Sequence, residues 1–335
     1  MLERLEHVGG AAVSAQAFAE VDARLSRYSY LVSLLPSRIV DDLGLPVRLL
    51  RRKYSSYTPD PGTGGRTGLL VQAGDGFASD FYGRCRLITQ ALWPTMTAPL
   101  LSRSQARRLV DDDTAWAALV EEPIGIAIRE AARDDLARGV IATDALIGTF
   151  ARLDDSSLRQ NACFLYHVFR DWDVPVGGMG AVTDALSTAA RRYGAEIITG
   201  ADVFSVTPDG EVRYRVRDGE HRVHGRFVLA NVTPTVLASL LSEVPPSSSP
   251  GCQVKVNLML QRLPRLRDSG VTAEQAFGGT FHINEAYSQL DSAFEAAVSG
   301  RVPDPLPCEI YCHSLTDPTI LSPSLRASGA QTLTV

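Results

Sequence analysis

The chain of 335 residues has no run of about 18 or more apolar side chains, so no helix of it is expected to cross a membrane. Its first residues lack the basic-then-apolar order of a secretory signal. Positive charge is not in excess. The formal net charge is −5, and no basic patch interleaved with aromatics gives reason to expect a nucleic-acid partner. The cysteines (Cys85, Cys163, Cys252, Cys308 and Cys312) are odd in number and dispersed, which points to a reducing, cytoplasmic compartment rather than a disulfide framework. The absence of any Cys-x-x-Cys pair argues against thiol–disulfide redox chemistry. Cys308, Cys312 and His313 stand close together, but no second ligand pair lies near them. They read as a strand carrying both sulfurs on one face, and no metal is expected. No G-x-G-x-x-G follows an apolar strand. The glycines from Gly62 to Gly68 have another spacing and sit in a Pro/Gly/Thr-rich loop, which reads as a turn.

What is present suits a folded chain, 45% apolar, long enough for a large core and two domains. The stretch from Val174 to Leu241 is the most informative. Gly177, Gly178 and Gly180 crowd the start of a helix, where bare backbone lets a ligand approach. Val182, Ala185, Leu186, Ala189, Ala190 and Tyr193 then recur as one apolar helical face, and Gly194 stands where a left-handed cap belongs. Ala195 to Thr199 is predicted as a strand, with Ala201 to Val206 as its continuation or neighbour. A meander follows: a turn at Pro208-Asp209-Gly210, then Val212, Tyr214 and Val216 alternating with Arg213, Arg215 and Arg217. Asp218-Gly219 is a hairpin signal, and His221 to Val223 and Arg226 to Ala230 are predicted to continue the sheet. Asn231-Val232-Thr233-Pro234 leads into a short helix carrying Val236, Leu237, Leu240 and Leu241.

With Pro175, Gly177, Gly178, Met179, Gly194, Ala195, Ile197, Val203, Asn231 and Pro234 in that order, this stretch resembles the middle of phytoene-dehydrogenase-like flavin oxidoreductases, within the wider amine-oxidase superfamily. The resemblance runs almost end to end. It implies an α/β (α+β-like) fold: an FAD-binding Rossmann-like domain of the glutathione-reductase/amine-oxidase type with a β-meander, plus a mixed sheet-and-helix substrate domain. It implies FAD as cofactor, and hydride abstraction from C–C or C–N bonds of a small hydrophobic, isoprenoid- or carotenoid-like substrate. The implied cofactor contacts are Glu3, followed by Arg4, at the adenosine ribose, Gly9 and Gly10 beside the phosphates, and the Val203 backbone beside the adenine. Gly177, Gly178, Asn231 and Pro234 complete the set. Leu5 and Ala11 depart from the family, which often carries Arg at both places. The first strand–GxGxxG–helix unit and a final glycine-rich segment are missing, so the sequence reads as truncated at both ends. His167, His282 and His313 each stand alone and read as satisfied structural histidines, and no catalytic residue is assigned.

The implied division places 1–83 and 171–243 in the FAD-binding domain, and 84–170 and 250–335 in the substrate domain. A helix is expected from Pro36 to Leu43. From Arg84 to Arg170 helices dominate, with stripes at Trp116, Leu119, Val120 and at Ile124, Ile128, Ala131. Gly139 and Asp144 look like boundaries, with a further helix from Ala145 to Ala151. The aromatics Trp93, Trp116, Phe150, Phe164, Tyr166 and Phe169 read as core rather than as a substrate tunnel. Ser242 to Pro250 is a linker. Strands are expected at Val254 to Leu260, Phe281 to Ile283 and Glu309 to Cys312, a helix carries Tyr287, Leu290, Phe294 and Val298, and Leu315 to Pro318 turns. Two other readings stay open: a flavin-free binding protein resembling Rab GDP-dissociation inhibitors, and an inactive fragment of the oxidoreductase. Peripheral membrane contact, which some relatives use to reach lipid substrates, is compatible with the sequence; the oligomeric state is not legible in it.

Overall fold

The computed structural model describes residues 1–72, 74–247 and 253–335. Cys252 and the end of the expected linker lie outside them. Among the described residues no helix is long and apolar enough to cross a membrane.

The chain opens beside a segment almost two hundred residues away. Leu2 bridges Ile198 in parallel; the Glu3 N–H donates to the Ile198 carbonyl at 2.9 Å, and the Ile198 N–H to the Met1 carbonyl at 3.0 Å. A small hairpin follows, β1 (Ser14–Gln16) with β2 (Arg24–Ser26). Helix α1 (Ser37–Leu43), where expected, stops at Gly44 in the left-handed region. After β3 (Leu49–Leu50), strands β4 (Tyr54–Pro59) and β5 (Gly68–Gln72) form a hairpin, and the glycines between them make the turn, with Asp60 accepting from the Gly62 N–H at 2.8 Å.

Then comes the helical layer: α2 (Ser79–Leu92), α3 (Arg103–Val110), α4 (Asp113–Trp116), α5 (Ile124–Ala131), α6 (Asp135–Leu146) and α7 (Arg159–Val168). Their apolar stripes meet in one core around Phe81, Ile88, Trp116, Leu119, Ile128 and Phe164. Phe164 and Trp116 are core, as expected, whereas Tyr166 is half-exposed beside Trp172. Strand β6 (Val174–Pro175) pairs with β3 and leads into α8 (Met179–Arg192). The meander is β7 (Asp202–Val206), β8 (Glu211–Val216) and β9 (Gly219–His224), followed by α9 (Pro234–Leu240). Val212 and Tyr214 are buried and the arginines between them face out, as the alternation requires. The last part holds β10 (Asn257–Leu260), α10 (Ala273–Phe277), β11 (Thr280–Ile283), α11 (Tyr287–Val298), β12 (Cys308–Tyr311), α12 (His313–Thr316), α13 (Pro323–Ser328) and β13 (Gln331–Thr334).

The main sheet has six strands in the order β10-β13-β12-β11-β4-β5, antiparallel except for the β11–β4 pair. It is a mixed α/β fold, as expected. β4 pairs with β11, so residues 54–72 share a sheet with strands of the late part of the chain. Pairing across more than two hundred positions has no local signature.

Other expectations change as well. Gly139 and Asp144 are not boundaries but lie inside α6, and Ala145 to Ala151 is no separate helix. Gly139 is there because α6 crosses the 285–286 backbone so closely that a Cβ would stand 2.0 Å from the Glu285 carbonyl oxygen. Ala195 to Thr199 makes only the Ile198 bridge. The hairpin turn is Arg217-Asp218, because Val216 pairs with Gly219. The apolar face of α8 is narrower than its pattern: Met179, Val182, Ala185 and Ala189 are buried against Val32, Leu45 and Val47, while Leu186 and Tyr193 face solvent. Arg226 to Ala230 is not a strand; no described strand bonds to it, and Phe227 and Leu229 are 78% and 96% exposed. The strand at 254–260 starts only at Asn257, and Leu315 to Pro318 spans the end of α12 and a 3-10 turn.

Candidate functional site: a strip from Glu3 to the start of α8

The parallel pairing of Met1–Glu3 with 196–201 sets the first part of the strip. The Ala201 N–H donates to the Glu3 carbonyl at 2.9 Å, and the Leu5 N–H to Glu3 Oε1 at 2.8 Å, which fixes the half-buried carboxylate just after the Leu2–Ile198 bridge. Ala201 leads directly into β7, so Val203 lies two residues from this junction. Helix α9 packs on β7; Thr233 caps it by accepting from the Val236 N–H at 3.3 Å, and Pro234 occupies its first turn. Glu3 and Val203 thus lie on either side of the Ala201 junction, and the Asn231–Pro234 turn leads into the helix that packs on β7. Arg4, Asn231 and Pro234 are solvent-exposed.

Gly9 and Gly10 come next, with φ of 117° and 54°. Their roles differ. A Cβ at Gly9 would stand 2.8 Å from both Thr183 of α8 and Val13, so this glycine permits packing. A Cβ at Gly10 would meet nothing within 4 Å, so here bare backbone faces open space.

At the start of α8 the expected open helix end is closed by the protein itself. Asp317 accepts from the Gly177 N–H at 2.7 Å, Ser26 from the Met179 N–H at 3.0 Å, and Ser14 from the Gly180 N–H at 2.9 Å. Gly178 leaves room for Ser14, whose Oγ a Cβ would meet at 2.6 Å. These glycines admit the β1–β2 hairpin, and the free N–H groups a ligand would need are already taken. Asp317, 1% exposed, also accepts from Thr319. Asp317→Ala is expected to cost about 1.5–3 kcal/mol, the worth of hydrogen bonds to a charged group, as read by urea denaturation. A small closed space beside Gly178 is lined by Ser26, Tyr30, Val174, His313 and Thr334.

Around this space the polar residues are more connected than the sequence suggests. His282 is satisfied, with Nδ1 2.9 Å from the Thr58 hydroxyl. The buried His313 is not satisfied: its Nε2 has no partner among the described residues. His167 does not stand alone, since its Nδ1 lies 2.9 Å from the carbonyl and 3.8 Å from the sulfur of Cys163, one helical turn earlier. Burial, with Arg52 adding to it, lowers His282 to about 3, and burial with Arg52 and Lys255 does the same for His313. His282 lies directly opposite Glu309 across β11–β12, and Tyr311 donates to Glu309. Only the register puts them together, so no sequence signal could have found the pair.

Burial raises Glu309 to about 7 against an unfolded value of 4.5. A raised carboxyl contributes its full stability below about 4.5 and loses it as pH climbs through about 7. Glu309→Gln, neutral throughout, should therefore gain on the parent by on the order of 2–3 kcal/mol between pH 4.5 and 8. Urea midpoints of the two proteins at both pH values test this; a difference that does not change with pH contradicts it.

Proteins of Mycobacterium tuberculosis and Mycobacterium bovis, each bearing the name uncharacterized protein, are 61% identical to this chain over 364 residues, covering all of it and 68% of each relative. The chain belongs to their family. At greater distance the chain is similar to the rat pyridine nucleotide-disulfide oxidoreductase domain-containing protein 2, 26% identical over 406 residues and again 68% of that protein. No family model matches. Among solved structures, an oxidoreductase from Methanosarcina mazei superposes with a TM-score of 0.59 at 15% identity, over 99% of this chain and 71% of that one. A putrescine oxidase variant gives 0.53 at 15% identity, over 99% and 68%. The fold is that of these oxidoreductases.

Proposed function

We propose that the protein is an FAD-dependent oxidoreductase that takes hydride from a C–C or C–N bond of a small hydrophobic, isoprenoid-like substrate. The observation that carries this reading is the parallel bridging of Met1–Glu3 to 196–201, which holds the Glu3 carboxylate beside the start of β7. An acidic residue in that position has ribose hydroxyls to accept from. The bare, left-handed Gly10 is the second element that fits, as an approach for phosphate oxygens to backbone N–H groups. The start of α8 does not fit a phosphate contact, because Asp317, Ser26 and Ser14 occupy it; Gly177 and Gly178 act through the hairpin they admit. The flavin, when bound, supplies the hydride acceptor. The chain's own residues bind and orient: Glu3 and the Val203 backbone hold the adenosine end, and the Asn231–Pro234 turn flanks it.

Reconstitution tests the reading. The purified protein incubated with FAD and desalted should keep flavin at one equivalent per chain, seen in its visible spectrum, and should keep FMN, which lacks the adenosine, far less. Retention of neither would favour the flavin-free binder over the oxidoreductase.

A further inference from the structure

We propose that His282, Glu285 and Glu309 form a binding site for a divalent cation of the zinc or manganese class. The site does not depend on the flavin reading. One ligand-capable atom from each residue lies within 4.8 Å of the others. His282 and Glu309 face each other across β11–β12, and Asn284, at a φ of 57°, reverses the chain so that Glu285 joins them. The Asn284 amide fixes this turn by donating to the Leu306 carbonyl at 3.0 Å. Helix α6 closes over the group, with Gly139 against the Glu285 backbone.

The second observation is an orphan. Glu285 is 6% exposed, and its Oε2 has no hydrogen-bond partner among the described residues. A buried carboxylate oxygen without a donor is costly, and a cation resolves that cost directly. The neighbouring groups are arranged for it. His282 is 4% exposed, and with Nδ1 on Thr58 its Nε2 is left for the ion. Tyr311 occupies Oε2 of Glu309 and leaves Oε1. Arg52 is turned to the Thr280 hydroxyl at 3.0 Å and over the Tyr311 ring. Two carboxylates neutralise a divalent ion, and one nitrogen with two oxygens suits zinc or manganese rather than calcium, which takes six or more oxygens. Bonds of about 2.0–2.2 Å need ligand atoms no more than about 4.4 Å apart, a contraction within reach of side-chain rotation.

The test is equilibrium dialysis of chelator-stripped protein against zinc or manganese chloride, with metal analysis and melting curves. One equivalent of ion and a rise in melting temperature are expected for the parent protein. Both should vanish in Glu285→Gln, whose metal-free form should melt close to the parent because the side chain keeps its size and place. Glu309→Gln is measured alongside, so that a folding failure of one variant leaves the other to decide. A parent protein that takes up neither ion overturns the proposal. So does full metal content in a folded Glu285→Gln or Glu309→Gln, and so does a melting shift with putrescine but not with metal, which would make the site an ammonium pocket.

Discussion

Gly139→Ala is expected to destabilise the protein by about 2 kcal/mol or more, although alanine is the better helix former. Propensity alone favours alanine by about 1 kcal/mol at an interior helix position. The added methyl, however, would stand 2.0 Å from the Glu285 carbonyl oxygen and 2.8 Å from the Ala286 Cα. Both are backbone atoms, so no side-chain rotation relieves the clash. Helix α6 must move away from the β11–α11 connection, at a cost of about 3 kcal/mol at the upper end of the overpacking range. Gly83→Ala is the control: in α2 its methyl would meet only the far end of Arg86, at 3.8 Å. There the propensity term acts alone, and a gain of about 0.5–1 kcal/mol is expected. Urea denaturation of both variants should give opposite signs. Equal signs would mean that α6 does not approach 285–286 so closely.

Glu3→Ala should weaken FAD binding about 10- to 100-fold with little change in stability. Hydrogen bonds to a charged group contribute about 1.5–3 kcal/mol, and each 1.4 kcal/mol is a factor of ten. Among the described residues the only hydrogen bond of the carboxylate is the exposed one from the Leu5 N–H, so the fold loses little. Quenching of flavin fluorescence gives the two affinities. FMN serves as the control, since a ligand without adenosine should not register the substitution. Equal FAD affinities of parent and variant would remove Glu3 from the site.

How much of this was legible in the sequence divides along contact distance. The α8 helix with its Gly194 end, the β7–β9 meander and the helical layer follow from periodicity and turn residues within short windows, and they stand where expected. The resemblance to flavin oxidoreductases rested on the same local pattern, and the fold agrees with it. What the sequence hid is long-range. Nothing local says that Tyr54–Pro59 pairs with Thr280–Ile283, or that His282 faces Glu309, because register is set by the assembled sheet. The glycines at 177, 178 and 180 show the limit most clearly. A bare helix start is the same signal whether a phosphate or the protein's own Ser14 and Ser26 comes up to it. Gly139 carried the opposite trap, since a glycine read as a helix end was a close crossing inside one.

Hydrogen exchange of the protein with and without FAD tests most directly whether a cofactor lies along the strip. Slowed exchange is predicted in three places: the loop after Glu3 through Gly10, the segment from Ala201 to Val203, and the turn before α9. The backbone at Gly177, Met179 and Gly180, already bonded to Asp317, Ser26 and Ser14, should change little. Protection confined to the start of α8, or absent from all three places at saturating FAD, would contradict the site.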